Sequence, residues 1–363
     1  MKKDQETLAS TRARLAAYSC AYPASQPQDV FKYLYQSAFG CEHLVTEGEG
    51  VLLRIAEEYA TLGQDASPTC LRLDGAYSRV SLGWLKAGLS PKTLASLFCL
   101  SAKKEENGEK ELKEKLAVAR EMAERGEFSF SFSDFSAALQ AWEAEGMPAL
   151  HHSAEFRAAY RPAYRVLSCR YANLLPLFAT LDRLLARPCP RVVLAIEGGS
   201  AAGKSTLAAI LKEVYDAAVF HTDDFFLRPE QRTPARMAEV GGNLDRERFA
   251  KEVLLPLGRG ETVIFRPYDC TRAALGAPVA VPPKPLSVVE GAYSMHPAFG
   301  EYYDAAVFLD VAPDLQKARI AQRNSPALAA RFFAEWIPME NSYFAGMRIK
   351  ERASLCLTVG EED

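Results

Sequence analysis

The sequence of 363 residues lacks the features that mark three common classes of protein. No apolar run approaches the ~18 residues of a membrane-spanning helix, and no apolar stretch follows the charged N-terminus. The 43 basic and 46 acidic residues nearly cancel, so no overall basic charge is present to hold nucleic acid. The eight cysteines are scattered, without a C-x-x-C pair. We therefore expect a cytoplasmic protein with reduced thiols that binds neither a membrane nor nucleic acid.

The length and a change of pattern near the middle of the chain predict two domains. Residues 1–187 show mostly helical periodicity, and the Ser90-Pro91 pair is typical of a helix start. Two prolines in Arg187–Arg191 interrupt the chain, and short apolar segments then alternate with helical ones. The strands expected after this point are Val192–Glu197, Ala217–His221, Thr262–Phe265, Leu286–Glu290, Ala306–Asp310 and Leu355–Val359. This alternation predicts an α/β domain over 188–363, with a parallel sheet flanked by helices, after a mostly α-helical domain over 1–187.

The segment Gly198–Ser205 matches the phosphate-loop pattern G-x-x-x-x-G-K-[ST]. In such a loop, glycines let backbone N–H groups face phosphate oxygens, the lysine neutralises the β- and γ-phosphates, and the last hydroxyl can ligate Mg²⁺. An expected strand precedes the segment and an expected helix follows it, which is the context that this mechanism requires. The residues expected to bind ATP (or GTP) are Gly198, Gly199, Ser200, Ala201, Ala202, Gly203, Lys204, Ser205 and Thr206.

Acidic residues stand at the ends of two expected strands, where open α/β sheets bind their ligands. Asp223 is the candidate base that orients an acceptor hydroxyl, and Asp224 either contacts the substrate or supports the metal. Which of the two is the base stays open, and a turn or helix cap would also explain the pair. Glu290 is the candidate Mg²⁺ ligand together with Ser205, the alternative being a surface residue of a loop.

Three further residues could complete such a site. Asp245, in a glycine-rich connection, could accept hydrogen bonds from substrate hydroxyls, cap the helix expected from Arg246, or do both. Arg319 and Arg323 are four residues apart, on one face of an expected helix. Either could clamp the transferring phosphoryl group next to Lys204, and solvated surface charge is the alternative for both.

These motifs together resemble the uridine kinase and phosphoribulokinase superfamily, which includes the nicotinamide riboside kinases. The matching segments after the phosphate loop are Thr222–Phe226, Asn243–Asp245, Arg266–Asp269, Val289–Gly291 and Phe308–Asp310, followed by Arg319 and Arg323. The resemblance covers about residues 190–325 and implies a P-loop kinase fold. It implies Asp223 as the catalytic aspartate, Asp245 and Tyr268 as substrate contacts, and Glu290 as the acid linked to magnesium. Enzymes of this superfamily phosphorylate a hydroxyl of a nucleoside or similar small molecule.

Two functions are compatible with these residues. The first is an ATP-dependent phosphotransferase that moves the γ-phosphate to a hydroxyl of a small molecule, such as a nucleoside, sugar or vitamin-like compound. The second is a nucleotide-sensing regulatory NTPase whose helical domain binds a partner. The acidic pair favours the first, because a pure switch has no reason to place Asp223 and Asp224 beside an acceptor pocket. Homo-oligomerisation is compatible with either.

The N-terminal half has weaker signals. A metal site could draw on six residues, but they lack close ligand spacing, and helix capping, core hydrogen bonding or an interface explains them as easily. These residues are Cys41, Glu42, His43, His151, His152 and Cys169. Arginines recur every four residues at 157, 161 and 165, which suggests either an anion-binding patch or a solvated surface. No function for this domain follows from the sequence.

Overall fold

The structure is a computed structural model that describes residues 2–42, 48–64, 66–102 and 107–360. The chain divides into two compact units, Met1–Asp182 and Arg183–Asp363. The division falls within the last helix of the first half, a few residues before the proline-containing segment at which the sequence predicts the boundary. No helix within the described ranges has the combination of length and hydropathy that a bilayer crossing demands.

The first unit is mostly helical, as predicted. Its helices are α1 (Lys2–Ala21), α2 (Pro27–Phe39), α3 (Gly48–Ala60), α4 (Gly83–Lys86), α5 (Pro91–Ser101), α6 (Gly108–Glu124), α7 (Phe132–Ala144), α8 (Ala154–Tyr160), α9 (Cys169–Ala172) and α10 (Leu175–Leu185). The side chain of Ser90 caps α5 by accepting a hydrogen bond from Thr93 N, and Pro91 is the first residue of the helix. The Ser-Pro pair therefore starts a helix for the reason that the sequence indicates.

The first unit also contains a three-stranded antiparallel sheet. Strands β1 (Cys70–Arg72), β2 (Tyr77–Ser81) and β3 (Tyr164–Ser168) pair in the order β1-β2-β3. The sequence predicts a short strand or turn over Leu71–Tyr77 and misses β2 and β3. Pro162 ends the helical spacing of the arginines, so Arg161 follows α8 in a left-handed conformation and Arg165 lies in β3. The three arginines therefore do not share a helical face.

The second unit is built on a parallel sheet of five strands. The strands of the whole unit, five of which form this sheet, are β4 (Val192–Gly198), β5 (Ala218–His221), β6 (Val263–Phe265), β7 (Tyr268–Asp269), β8 (Ala274–Leu275), β9 (Val279–Val281), β10 (Leu286–Glu290), β11 (Ala305–Val311) and β12 (Leu355–Val359). The sheet order is β12-β11-β4-β10-β5, and all four pairings are parallel. All seven residues of β4 are buried, as expected for a central strand with both faces covered.

The prediction from the sequence is wrong for one strand, which does not belong to the parallel sheet. Thr262–Phe265 was expected in the parallel sheet, but β6 pairs antiparallel with β9 outside it. The reason lies in burial: Ile264 is 60% exposed between two buried neighbours, whereas every residue of β10 is buried. A strand with one solvated face fits an antiparallel pair better than the middle of a covered parallel sheet.

The helices of the second unit are α11 (Lys204–Tyr215), α12 (Pro234–Met237), α13 (Arg246–Phe249), α14 (Leu255–Arg259), α15 (Pro313–Arg323), α16 (Pro326–Arg331), α17 (Ile337–Gly346) and α18 (Ile349–Arg352). Two π-helical turns, over 250–254 and 332–336, join consecutive helices. Each lies just before a proline, Pro256 or Pro338, in the second position of the next helix. Because proline lacks the N–H and crowds the carbonyl four residues earlier, the helix widens instead of continuing.

Candidate functional site

The phosphate loop connects the central strand β4 to α11, as the sequence predicts. Two of its glycines have backbone conformations that require glycine. Gly198 has a φ of 145°, and a Cβ there would lie 2.7 Å from the backbone oxygen of Leu309 on the neighbouring strand. Gly203 has a φ of 94° and is the N-cap of α11. Both conformations are rarely adopted by other residues. The N-terminus of α11, with Ser205 and Thr206 exposed in its first turn, therefore opens onto the loop as an anion-binding helix end.

Lys204 lies folded over this loop. Its Nζ donates to the backbone oxygens of Gly198 at 2.8 Å and Gly199 at 2.9 Å. Within the loop, Ala202 N donates to Gly199 O at 3.2 Å. The ammonium group therefore lies at the mouth of the loop, where the carbonyl contacts can be exchanged for phosphate oxygens.

Ser205, in the first turn of α11, and Glu290, the last residue of β10, are brought together. Ser205 Oγ donates to Glu290 Oε1 at 2.9 Å, and His221 Nδ1 lies 2.5 Å from the same oxygen. Burial alone would raise the pKa of Glu290, but the hydrogen bonds from His221 and Ser205 outweigh it and hold the pKa below its usual value. The hydrogen bond to Glu290 raises the pKa of His221. Glu290 is thus an ionised carboxylate that is 4% exposed.

The acidic pair follows β5 in a short 3-10 turn, Thr222–Phe225, on the same side of the sheet. Asp223 is accessible to solvent, although the surrounding protein is dense enough that burial raises its pKa. Both observations hold for a carboxylate that is exposed on one side and surrounded by protein on the other, and we refer to the space between Asp223, Lys204 and Glu290 as the acidic cleft. Lys204 lowers the same pKa and Glu290 raises it, so the three groups interact electrostatically. Burial also raises the pKa of Asp224, whose side chain is half-buried.

The two arginines of α15 occupy different environments. Arg319 donates to Ala201 O of the phosphate loop at 3.5 Å and to Gly360 O at 2.8 Å. Arg323 is exposed at the end of α15, and its positive charge lowers the pKa of Asp223. Arg319 therefore supports the loop, and Arg323 is the arginine whose charge reaches the acidic cleft. Their roles in phosphoryl transfer stay predictions.

Asp245 and Tyr268 are buried at 3% and 5% exposure. Asp245 caps α13, accepting from Arg248 N at 3.1 Å, and its other oxygen accepts from Gln231 Nε2 at 3.0 Å. Tyr268 Oη accepts a hydrogen bond from Arg232 Nη2 at 3.4 Å. The capping role of Asp245 is therefore real, and substrate contacts by Asp245 and Tyr268 stay predictions.

Two buried acids that hold the phosphate loop were missed from the sequence. Glu197, the penultimate residue of β4, is fully buried and accepts from Gly198 N at 3.1 Å, Met295 N at 3.1 Å and Tyr343 Oη at 3.0 Å. Glu340 of α17 accepts from Ser200 N at 2.9 Å and from Ser200 Oγ at 2.7 Å. The sequence did contain a signal for Glu197, because it is an acidic residue inside the apolar strand that leads into the loop. The pairing of Glu340 across 140 residues has no local signal.

The donor set fits a magnesium ion that is shared with nucleotide phosphates. Ser205 offers a hydroxyl oxygen and Glu290 an ionised carboxylate, whose Oε2 accepts no hydrogen bond from the described residues. Mg²⁺ in nucleotide sites takes one or two protein oxygens and completes its shell with phosphate and water. Within the ranges that the structure describes, no group of three or more His, Cys, Asp or Glu side chains could hold a metal alone. For the N-terminal candidates, His43 lies outside the described residues and His152 binds Asp29.

The sheet order and the loop together define the second unit as a P-loop kinase fold. If the five strands of the parallel sheet are numbered along the chain, their order across the sheet is 5-4-1-3-2, and the loop follows the first strand, which is central. No protein-family model and no curated protein matches the chain. Among solved structures, it is similar to a possible uridine kinase from Bacillus stearothermophilus, with 19% identity and a TM-score of 0.40 over 52% of this chain and 98% of that one. It is also similar to a protein named as a fructose transport system kinase from Silicibacter sp. TM1040, with 23% identity and a TM-score of 0.39 over 49% and 94% of the two chains.

A shikimate kinase from Bacteroides thetaiotaomicron is a further structural neighbour, with 14% identity and a TM-score of 0.26 over 46% of this chain and 86% of that one. Each match spans about half of this chain. At such identities the likeness concerns the fold, and the substrates in these names are those of the other proteins.

Proposed function

We propose that the second unit transfers the γ-phosphate of ATP (or GTP) to a hydroxyl of a small molecule, such as a nucleoside, sugar or vitamin-like compound. The observation that carries the proposal is the convergence of three groups at one edge of the sheet. Lys204 lies on the phosphate loop, the Ser205–Glu290 pair lies at the first turn of α11, and Asp223 faces them from the end of β5. A loop that only binds phosphate would not require Asp223 at this position.

Each group has a task that its environment supports. Lys204 exchanges its two loop carbonyls for oxygens of the β- and γ-phosphates. Ser205 and Glu290 would hold Mg²⁺, which would supply positive charge against the phosphate oxygens. Asp223 accepts the proton of the attacking hydroxyl, and because its pKa is raised by burial, it is a better base than a fully solvated aspartate. Arg323 adds positive charge beside the cleft.

The proposal is tested by incubating the full chain with Mg·ATP and a panel of nucleosides, sugars and vitamins, and by detecting phosphorylated products by mass spectrometry. The variant Lys204→Ala removes the phosphate contact, and Lys212→Ala, an exposed lysine near the end of the same helix, is the matched control. A product formed by the wild type and by Lys212→Ala, but lost with Lys204→Ala, is the expected result. ATP hydrolysis without any phosphorylated product across the panel would instead favour the regulatory NTPase.

A further inference from the structure

The first unit contains a cavity to which the kinase chemistry assigns no role. Its volume is about 190 Å³, and it lies between α2, α3, α5 and β3. At roughly 10–15 Å³ per water-sized group, this is space for a ligand of about 13–19 non-hydrogen atoms. The residues around it are Gln36, Val51, Arg54, Glu58, Phe98, Tyr164, Arg165 and Val166.

A buried cation lies directly behind two of these residues. Arg79 is 5% exposed, and its Nε donates to Gln36 Oε1 at 2.8 Å. Its guanidinium packs over the rings of Tyr164, Tyr33 and Tyr18 at 4.9–5.5 Å. Within the described residues, no carboxylate forms an ion pair with it, and its buried Nη2 lacks a hydrogen bond of ordinary geometry. Buried arginines are normally paired with an anion, whereas Arg79 is held among tyrosine rings.

A chain of hydrogen bonds fixes the polarity of that wall. Asp29 Oδ1 lies 2.8 Å from His152 Nδ1, and His152 Nε2 lies 2.7 Å from Tyr164 Oη. Hydrogen bonds from His152 and Ser153 outweigh burial and keep the pKa of Asp29 low, while burial lowers the pKa of His152. An ionised Asp29 beside a neutral His152 places the ring proton on Nδ1, so Nε2 is an acceptor for the Tyr164 hydroxyl, which also lies 3.4 Å from Gln36 Oε1.

The hydrogen bond from Arg79 determines the orientation of the Gln36 amide. Arg79 can only donate, so the atom that faces it must be Gln36 Oε1, as observed. This leaves the Nε2 group, a double donor, as the part of the amide available to the cavity. Among the charged residues of the lining, Arg165 is neutralised by a bidentate pair with Glu58 at 2.8 and 2.9 Å. Arg54 is exposed, and no described residue forms an ion pair with it. The lining therefore offers hydrogen-bond donors, and its charged residues, Arg54, Arg165 and Glu58, carry one net positive charge.

Three of the lining residues are apolar. Val51, Phe98 and Val166 come from three different elements and face the same space. We propose that the cavity binds a small organic anion, with its carboxylate or phosphate group at Gln36 and Arg54 and its apolar part against Val51 and Phe98. Such a ligand would place its negative charge next to Gln36, which is hydrogen-bonded to the buried Arg79.

The test uses the full chain with labelled valine methyl groups, because Val51 and Val166 report on the cavity and not on the phosphate loop. Benzoate, phenyl phosphate and the neutral benzamide are titrated in turn at up to millimolar concentration. We expect at least one of the two anions to shift both methyl signals, and benzamide to bind at least roughly tenfold more weakly, because it lacks the charge-assisted hydrogen bonds. The preferred anion distinguishes a carboxylate ligand from a phosphate ligand.

Two variants probe the two contacts of the anion. Arg54→Gln, at an exposed residue, should weaken anion binding roughly tenfold or more. Gln36→Glu places a carboxylate beside Arg79, so it should abolish anion binding while raising or preserving resistance to urea. Arg157→Gln, an exposed arginine of α8 outside the cavity, is the control and should bind like the wild type. No methyl shift with either anion, or undiminished binding to Gln36→Glu, overturns the proposal.

Discussion

Replacing Glu197 with glutamine should change how the stability of the second unit depends on pH. Glu197 is fully buried under the phosphate loop, and burial raises its pKa from 4.5 to about 7, against hydrogen bonds from Met295 N and Gly198 N. Between these two values the folded state holds a proton that the unfolded state has lost, so stability falls as pH rises through this interval. One pKa unit corresponds to about 1.36 kcal/mol, so the loss amounts to about 3 kcal/mol.

Glu197→Gln cannot ionise and should lack this contribution. The difference in the free energy of unfolding between variant and wild type should therefore move by about 3 kcal/mol in favour of the variant between about pH 4 and about pH 8. Urea unfolding can be followed by the fluorescence of Trp336 in a background with Trp84→Phe and Trp142→Phe, because Trp336 is then the one tryptophan of the chain.

Glu301→Gln, at an exposed residue of the same unit, is the matched control. It should differ from the wild type by an offset that changes little with pH. If Glu197→Gln also shows only a constant offset, the carboxyl does not titrate in the folded state as its burial implies, and the reasoning is refuted.

Three further predictions concern the site itself. Glu290→Gln should raise the Mg²⁺ concentration needed for half-maximal activity by roughly 10–100-fold, measured by metal titration, and an unchanged requirement would remove it from the metal site. Arg323→Ala should lower kcat by on the order of 10³-fold, because the charge of Arg323 acts on Asp223. Arg319→Ala should lower kcat less, because Arg319 contacts the phosphate loop instead. Equal kcat values for the two variants would contradict this. Ser200→Ala should reduce stability by about 1–2 kcal/mol in urea unfolding, since it loses the hydroxyl bond to Glu340, and wild-type stability would argue against that bond.

The phosphate loop and its flanking elements could be predicted because their determinants are local. Lys204–Tyr215 forms α11 with the bounds that the sequence indicates, and the strand ends carry Asp223 and Glu290 as expected. Glycines, a lysine and a hydroxyl at fixed spacing require one backbone shape, so a short window is informative. The two-stranded pairing of β6 was missed because a run of four apolar or β-branched residues does not reveal which neighbour it will pair with.

The acids that support the loop were harder to find because their partners are distant in sequence. Glu340 reaches Ser200 across 140 residues, and Tyr343 reaches Glu197 across 146 residues. In the first unit, His152 was considered as a metal ligand, but the structure places it between Asp29 and Tyr164. Pairings of this kind depend on tertiary packing, and neither periodicity nor motif spacing encodes them locally.

The most direct test of the proposed phosphoryl transfer compares nucleotide binding with turnover in Asp223→Asn. The affinity for Mg·ATP, measured by calorimetry, should stay close to that of the wild type, because the phosphate loop, Lys204 and the Ser205–Glu290 pair are unchanged. The rate of product formation with the acceptor identified from the panel should fall by roughly 10²–10⁴-fold, the usual contribution of a general base. Wild-type turnover in Asp223→Asn would contradict the central claim that this carboxylate receives the proton of the acceptor hydroxyl.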